Sequence, residues 1–310
     1  MVRNMILLIL VTFLTVMSVS AQTHNIRRGS GTSANTPRTS TTTKRSSTST
    51  ATKKTGANNS REHSSTATSQ NKKQTTSSSR EFLSPVIQNL IHNMVFVDGG
   101  TFTMGATSEQ GNDAYENEKP THQVTLTSFY IGRYEVTQEE WMAVMGSNPS
   151  YFQSAKRPVE KVSWDDCQKF IHKLNSLTGM KFRLPTEAEW EFAARGGNNS
   201  RKCKYSGSNV ISSVAWIDVN SGKSTSQVGQ RTANELGLYD MSGNVREWCE
   251  DRYDNYIPSS QINPQGPSSG VNRVTRGGSW NLSDSSSRVS NRSYCPPSYS
   301  FSYLGLRIAL

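Results

Sequence analysis

Cysteine is scarce in this 310-residue chain, and its four copies, Cys167, Cys203, Cys249 and Cys295, stand 36, 46 and 46 positions apart. With no Cys-x-x-Cys pair among them, the usual zinc-finger and zinc-ribbon spacings are excluded. Long apolar runs are missing after Met17, so nothing later in the chain is apolar enough to anchor it in a bilayer. Aromatic residues are absent from Gln22 to Arg80, which removes base stacking as a means of binding and leaves no specific nucleic-acid role expected. The five histidines, His24, His63, His92, His122 and His172, are scattered, and none pairs recognisably with a nucleophile.

What the N-terminus does contain is a secretory signal. Arg3 precedes an apolar run from Met5 to Met17, and Ser18-Val19-Ser20-Ala21 supplies small residues ahead of Gln22, so residues 1–21 are expected to be a cleaved signal peptide. The run is too short for a bilayer span, and the lack of a cysteine at the cleavage point excludes lipid attachment there. An exported product, whether periplasmic, cell-surface or secreted, is expected.

From Gln22 to Arg80, 28 of 59 residues are Ser or Thr and hardly any is large and apolar. Such a segment cannot bury enough surface to offset its chain entropy, so a disordered tail or linker is expected. It holds 11 Lys or Arg against Glu62 alone, a net charge of +10. The 22 basic and 23 acidic residues of 81–310 leave that part at −1, so the basic balance belongs to the tail. A solvated spacer is one role for it, and salt-sensitive contact with an anionic surface is the other.

Residues 81–310 suffice for one large domain. Met94–Val97, Gly100–Gly105, His122–Leu126 and Phe129–Ile131 have strand patterns, with brief strand-like pieces at Val214–Trp216 and Arg273–Thr275. Thr137 with Glu140, Ser163 with Asp166 and Thr186 with Glu189 form capping boxes that open three helices. In the second, Cys167, Phe170, Ile171, Leu174 and Leu177 fall on one face, which predicts an amphipathic helix against the core. Glu187, Glu189 and Glu191 at the start of the third complement the helix dipole. Beyond Arg195 the chain turns rich in Gly, Asn and Ser, and long irregular stretches in a compact domain commonly carry function or ions.

Five ordered runs stand in this half: Arg183-Leu-Pro-Thr-Glu-Ala-Glu-Trp-Glu191, Gly237-Leu-Tyr-Asp-Met-Ser-Gly-Asn-Val-Arg-Glu-Trp248, Arg276-Gly-Gly-Ser-Trp280, Arg288 with Arg292, and Leu304-Gly-Leu-Arg307. Together they resemble the formylglycine-generating enzyme (sulfatase-modifying factor) family from about Met94 to Leu310. The resemblance implies an α+β fold related to C-type lectins, with little regular structure. In catalytic members two cysteines between the Gly-Gly-Ser segment and the paired arginines bind copper and activate oxygen. Asn281 to Ser287 contains no cysteine, and Cys295 lies beyond Arg292, so copper is not expected here. The resemblance also implies a structural calcium on Asp240, Gly243, Val245 and Glu247, where Asp240 replaces the usual Asn. A metal-free Asx-type turn, with Glu247 paired to Arg246, is the alternative. A second family calcium site would fall within Ser208 to Lys223, with no ligand nameable. Arg288, Arg292, Arg307 and Trp280 are candidates for orienting the core or lining the peptide groove.

In an exported protein an even cysteine count favours two disulfides, in any of three connectivities, with a buried thiol as the other fate of each. The expected function is a non-catalytic module with a binding or assembly role toward a protein or envelope partner. An oxidoreductase maturing a sulfatase-type substrate is the first alternative. A lectin-like glycan or receptor binder using Trp216, Trp248, Trp280, Tyr294, Tyr299 and Tyr303 is the second.

Overall fold

The computed structural model describes residues 83–310. The expected signal peptide and basic tail lie outside the described residues. Helix α1, Pro85–His92, begins with Pro in its first turn and with the Ser84 hydroxyl accepting from the Ile87 N–H. Helices α2 (Gln138–Met145), α3 (Trp164–Thr178) and α4 (Glu187–Ala194) each start at the expected capping box. The first two stop at Gly146 and Gly179, whose left-handed φ values of 79° and 69° suit glycine. Along α3, Cys167, Phe170, Ile171 and Leu174 are buried as expected. Leu177 is not: it is 49% exposed, in the final turn just ahead of the Gly179 cap, where the helix has passed the core. Another difference is at Val214–Trp216, where a strand was expected and the short helix α5, Ile211–Val214, ends instead.

Among the described residues, nine strands form three small sheets. Strands β1 (Met94–Val97) and β4 (Phe129–Gly132) pair antiparallel; β2 (Gly100–Met104), β3 (His122–Leu126) and β6 (Gln261–Ile262) form the second sheet. The third, ordered β8-β7-β5-β9, joins Arg292–Cys295, Arg273–Arg276, Arg246–Arg252 and Leu304–Leu306. It therefore brings four of the five sequence motifs side by side, with β9 parallel and β7 antiparallel to the central β5. Helices and small, mostly antiparallel sheets joined by long loops make this the expected α+β architecture.

One apolar cluster lies under α1, α2 and α3, where Trp141 stacks on Phe170 at 5.0 Å and Trp248 enters from β5. A second surrounds α4, with Trp190, Phe192, Ile131 and Val274. The expected disulfides are absent: all four cysteines are free. Cys167 fills the first cluster from α3 and Cys249 the second from β5, so each is core volume in a different place. Cys203 sits in a loop and Cys295 ends β8. Burial pushes the thiols of Cys167 and Cys249 well up, which suits the buried-thiol alternative.

Candidate functional site

Two glycines allow the motif loops to meet. Gly243 has φ +85°, and a Cβ there would come within 2.4 Å of the Trp216 carbonyl oxygen. Gly278 has φ +74°, and its Cβ would strike the Ser287 hydroxyl at 2.3 Å. Between them the stretch after Trp280 folds down over the Ser242–Val245 turn. Trp280 N–H donates to the Asn244 carbonyl at 2.8 Å, Ser242 Oγ donates to the Ser287 carbonyl at 2.8 Å, and Asp218 N–H donates to the Leu282 carbonyl at 3.1 Å. The Trp280 indole N–H reaches the Ser302 carbonyl at 3.0 Å. Ser283, Asp284, Ser285, Ser286 and Ser287 thus occupy this stretch with hydroxyls and one carboxylate and no thiol.

The candidate arginines are all buried and all paired. Arg307 grips Glu247, with Nη2 donating at 2.7 Å and Nε at 3.0 Å, and also reaches the Gly132 and Tyr239 carbonyls. Arg292 forms a two-point pair with Glu187 at 2.6 and 2.8 Å. Arg288 does the same with Glu118, which also accepts from Ser290 Oγ at 2.5 Å. Burial works against the Glu118 and Glu187 charges, but Arg288 and Ser290 at the first, and Arg292 and Arg276 at the second, hold both carboxyls below their ordinary range. These arginines fasten the motif loops to α4 and to the segment before β3, which is a structural use of the charge. Glu118 went unnoticed in the sequence because it lies 170 positions from Arg288.

At the calcium motif, Glu247 accepts from Arg307 and from the Trp190 indole N–H at 2.7 Å, so both its oxygens are engaged. Arg246 is not its partner: the two are consecutive on β5 and project to opposite faces. Asp240 accepts from the Gly229 N–H through Oδ2 at 2.7 Å, while its Oδ1 is buried without a partner. Glu135, which the sequence did not single out, accepts from the Val245 N–H at 3.1 Å and the Asn244 side chain at 2.6 Å. Burial, then the charges of Asp240 and Glu247, push its carboxyl well up; burial likewise pushes Asp240 up to about 6. Of these three buried carboxyl groups only Glu247 is bonded to a guanidinium, that of Arg307. Among the described residues no group of three or more His, Cys, Asp or Glu side chains converges as a metal site.

Of the aromatic candidates, Trp248 is core, with its N–H on the Val162 carbonyl at 3.0 Å, and Trp216 lies under the Arg231 guanidinium at 3.6 Å. Tyr303 stacks on Phe301, while Tyr294 and Tyr299 are exposed. A separate cleft of about 250 Å³ is lined by His122, Glu187, Asp251, Tyr256 and Arg292.

Comparison with known proteins gives this geometry its context. The family model of the sulfatase-modifying factor enzyme 1-like domain matches residues 79–310. A chaperone protein LppX from Paenibacillus barcinonensis is 35% identical, over 64% of this chain and 82% of that protein. The serine/threonine-protein kinase pkn1 of Chlamydia caviae is 34% identical over 72% of this chain, which spans only 38% of the kinase's length. A formylglycine-generating enzyme from Thermomonospora curvata is 28% identical over 72% of this chain and 94% of the enzyme. Among solved structures, Treponema denticola variable protein 1 superposes with a TM-score of 0.64 at 33% identity, covering 70% of this chain and 94% of that one. PvdO from Pseudomonas aeruginosa gives 0.61 at 28%, covering 70% and 93%. The chain belongs to the formylglycine-generating-enzyme (sulfatase-modifying factor) family.

Proposed function

We propose that this chain is an exported, non-catalytic member of its family that acts by binding or assembly at the cell envelope. The observation that carries this reading is the stretch between Trp280 and Arg288, which holds hydroxyls where copper chemistry requires two soft thiolates. None of the four cysteines substitutes for them. Cys167 and Cys249 are core residues with thiols pushed well up by burial, and burial also raises the thiols of the part-buried Cys203 and Cys295. The description of the LppX relative as a chaperone belongs to the same class of role, in which the domain holds a partner and does not transform it. The test is mass spectrometry of a cysteine-containing sulfatase-type peptide after aerobic incubation with copper and the purified protein. An unchanged peptide is expected, with no stoichiometric copper(I) binding. Conversion of the cysteine to formylglycine would overturn the reading in favour of the oxidoreductase.

We further propose that calcium is held through Asp240 with main-chain oxygens of the Gly243–Val245 turn. The open Asp240 Oδ1 and the surplus of buried carboxyl groups over Arg307 support it, and a bound cation would supply that charge balance. Glu247 is committed to Arg307, so its contribution is to fix the turn. After metal stripping, calcium is expected to raise the melting temperature and chelator to lower it. Asp240→Asn should weaken this response, and identical curves in calcium and chelator would rule calcium out.

A further inference from the structure

Five arginines are buried among the described residues, and four of them face a carboxylate: Arg276 with Glu191, Arg288 with Glu118, Arg292 with Glu187 and Arg307 with Glu247. The fifth, Arg246, is 9% exposed and has no carboxylate within ion-pairing distance. A single hydrogen bond serves its guanidinium, from Nη2 to Asn291 Oδ1 at 3.2 Å, and Nη1 is buried with no partner. Leaving a guanidinium so poorly satisfied out of water is costly, and the other four buried arginines each have a carboxylate partner.

Its position is informative. Arg246 opens β5 with its backbone N–H on the Tyr303 carbonyl at 2.7 Å, two residues after the Asn244 whose carbonyl holds the Trp280 N–H. The Tyr115 hydroxyl lies 3.4 Å from Ser285 Oγ in the thiol-free stretch. Tyr115 is 48% exposed and is the solvent-facing member of this group. Beside it an edge-to-face run leads from Trp280 through Phe152 at 5.1 Å to Tyr151 at 4.9 Å, and Tyr151 is 68% exposed.

We propose that Arg246 receives a carboxylate from a partner protein, the acidic side chain of an extended segment laid over Tyr115, Tyr303 and the Trp280–Tyr151 aromatics. One guanidinium matches the single charge of a carboxylate, and Nη1 is its open donor. A phosphate dianion would exceed it, because Arg276, the nearby cation, is already neutralised by Glu191. Aromatic flanks suit the apolar remainder of a peptide better than a free anion. This goes beyond the non-catalytic reading, and its test reads anion binding where that one reads copper chemistry, so either can fail alone.

The probe is an end-capped Gly-Glu-Gly peptide and its Gln twin, titrated against the full chain at constant ionic strength and followed by melting temperature and calorimetry. Saturable binding of the Glu peptide is expected, at least tenfold weaker for the Gln twin. The response should vanish in Arg246→Met, a variant that melts at or above the parent because it no longer buries an unpaired charge. Absence of Glu-peptide binding, equal binding of the twins, or a full response in Arg246→Met would each overturn the assignment. Inorganic phosphate that binds more tightly than the Glu peptide would overturn the carboxylate. If Arg246→Met does not fold, the comparison of the twins on the unmodified protein decides.

Discussion

Asp251 is a carboxyl that the fold holds largely protonated at neutral pH. It is 4% exposed in the cleft beside His122, and burial, followed by the charge of Glu187, pushes its pKa up to about 8 against an ordinary 3.8. One hydrogen bond, from the Glu187 N–H at 2.8 Å, opposes this and is too weak to reverse it. The folded state therefore binds more protons than the unfolded state across that window, and stability falls as pH rises from 3.8 to about 8. Asp240, raised to about 6, and Glu135, pushed well up, add to the same slope, so Asp251 is isolated by the difference between the parent and a variant that cannot ionise there. Asp251→Asn cannot ionise yet keeps a carbonyl for the Glu187 N–H. It should flatten the profile above pH 6 and gain on the order of a few kcal/mol near pH 8, since each tenfold change in proton affinity is worth about 1.4 kcal/mol. Urea melts of parent and variant between pH 6 and 8.5 check this; parallel curves would show that Asp251 does not titrate there.

At the scale of elements, what could be read in advance was whatever is signalled locally. The capping boxes at Thr137, Ser163 and Thr186 each lie within four residues, and all three helices begin where they stand. Strands β1 to β4 and β7 follow short apolar patterns and were likewise legible. Strand β5 was not: Arg246, Glu247, Glu250, Asp251 and Arg252 make it look like surface, yet it is the centre of its sheet. Its carboxyl groups are engaged by Arg307, by Gln168 and by the start of α4, at 60, 82 and 64 positions' remove, which no local pattern records. The same holds for α4, whose residues are all buried. Glu189 does cap the helix as expected, but Glu187 and Glu191 answer Arg292, Arg276 and Arg195 across the core. Arg288, Arg292 and Arg307 were thus identifiable as important, while their partners became visible only with the fold. Arg246 shows the converse: its neighbour Glu247 suggested a pair that strand geometry forbids.

The whole chain is electrically divided. Residues 22–80 carry +10, whereas residues 81–310, which contain the described apolar clusters, carry −1. Attraction to an anionic surface therefore has one source, because a nearly neutral domain of interspersed charges has no long-range field of its own. Exposed lysines and arginines of this kind act by releasing counterions, so the attraction weakens steeply with salt. The Debye length falls from about 10 Å at 0.1 M to about 3 Å at 1 M, short enough to uncouple the tail from a membrane or glycan surface. Two preparations separate the contributions: the chain from Gln22, and residues 81–310 alone. Sedimentation with phosphatidylserine-containing vesicles should retain the longer one at low ionic strength and release it as salt approaches 1 M. The shorter one should remain in solution throughout, while still binding the Glu peptide through Arg246 if that site is built as inferred. Vesicle binding by residues 81–310, insensitive to salt, would place the membrane contact on the domain's apolar surface and remove the tail from the mechanism.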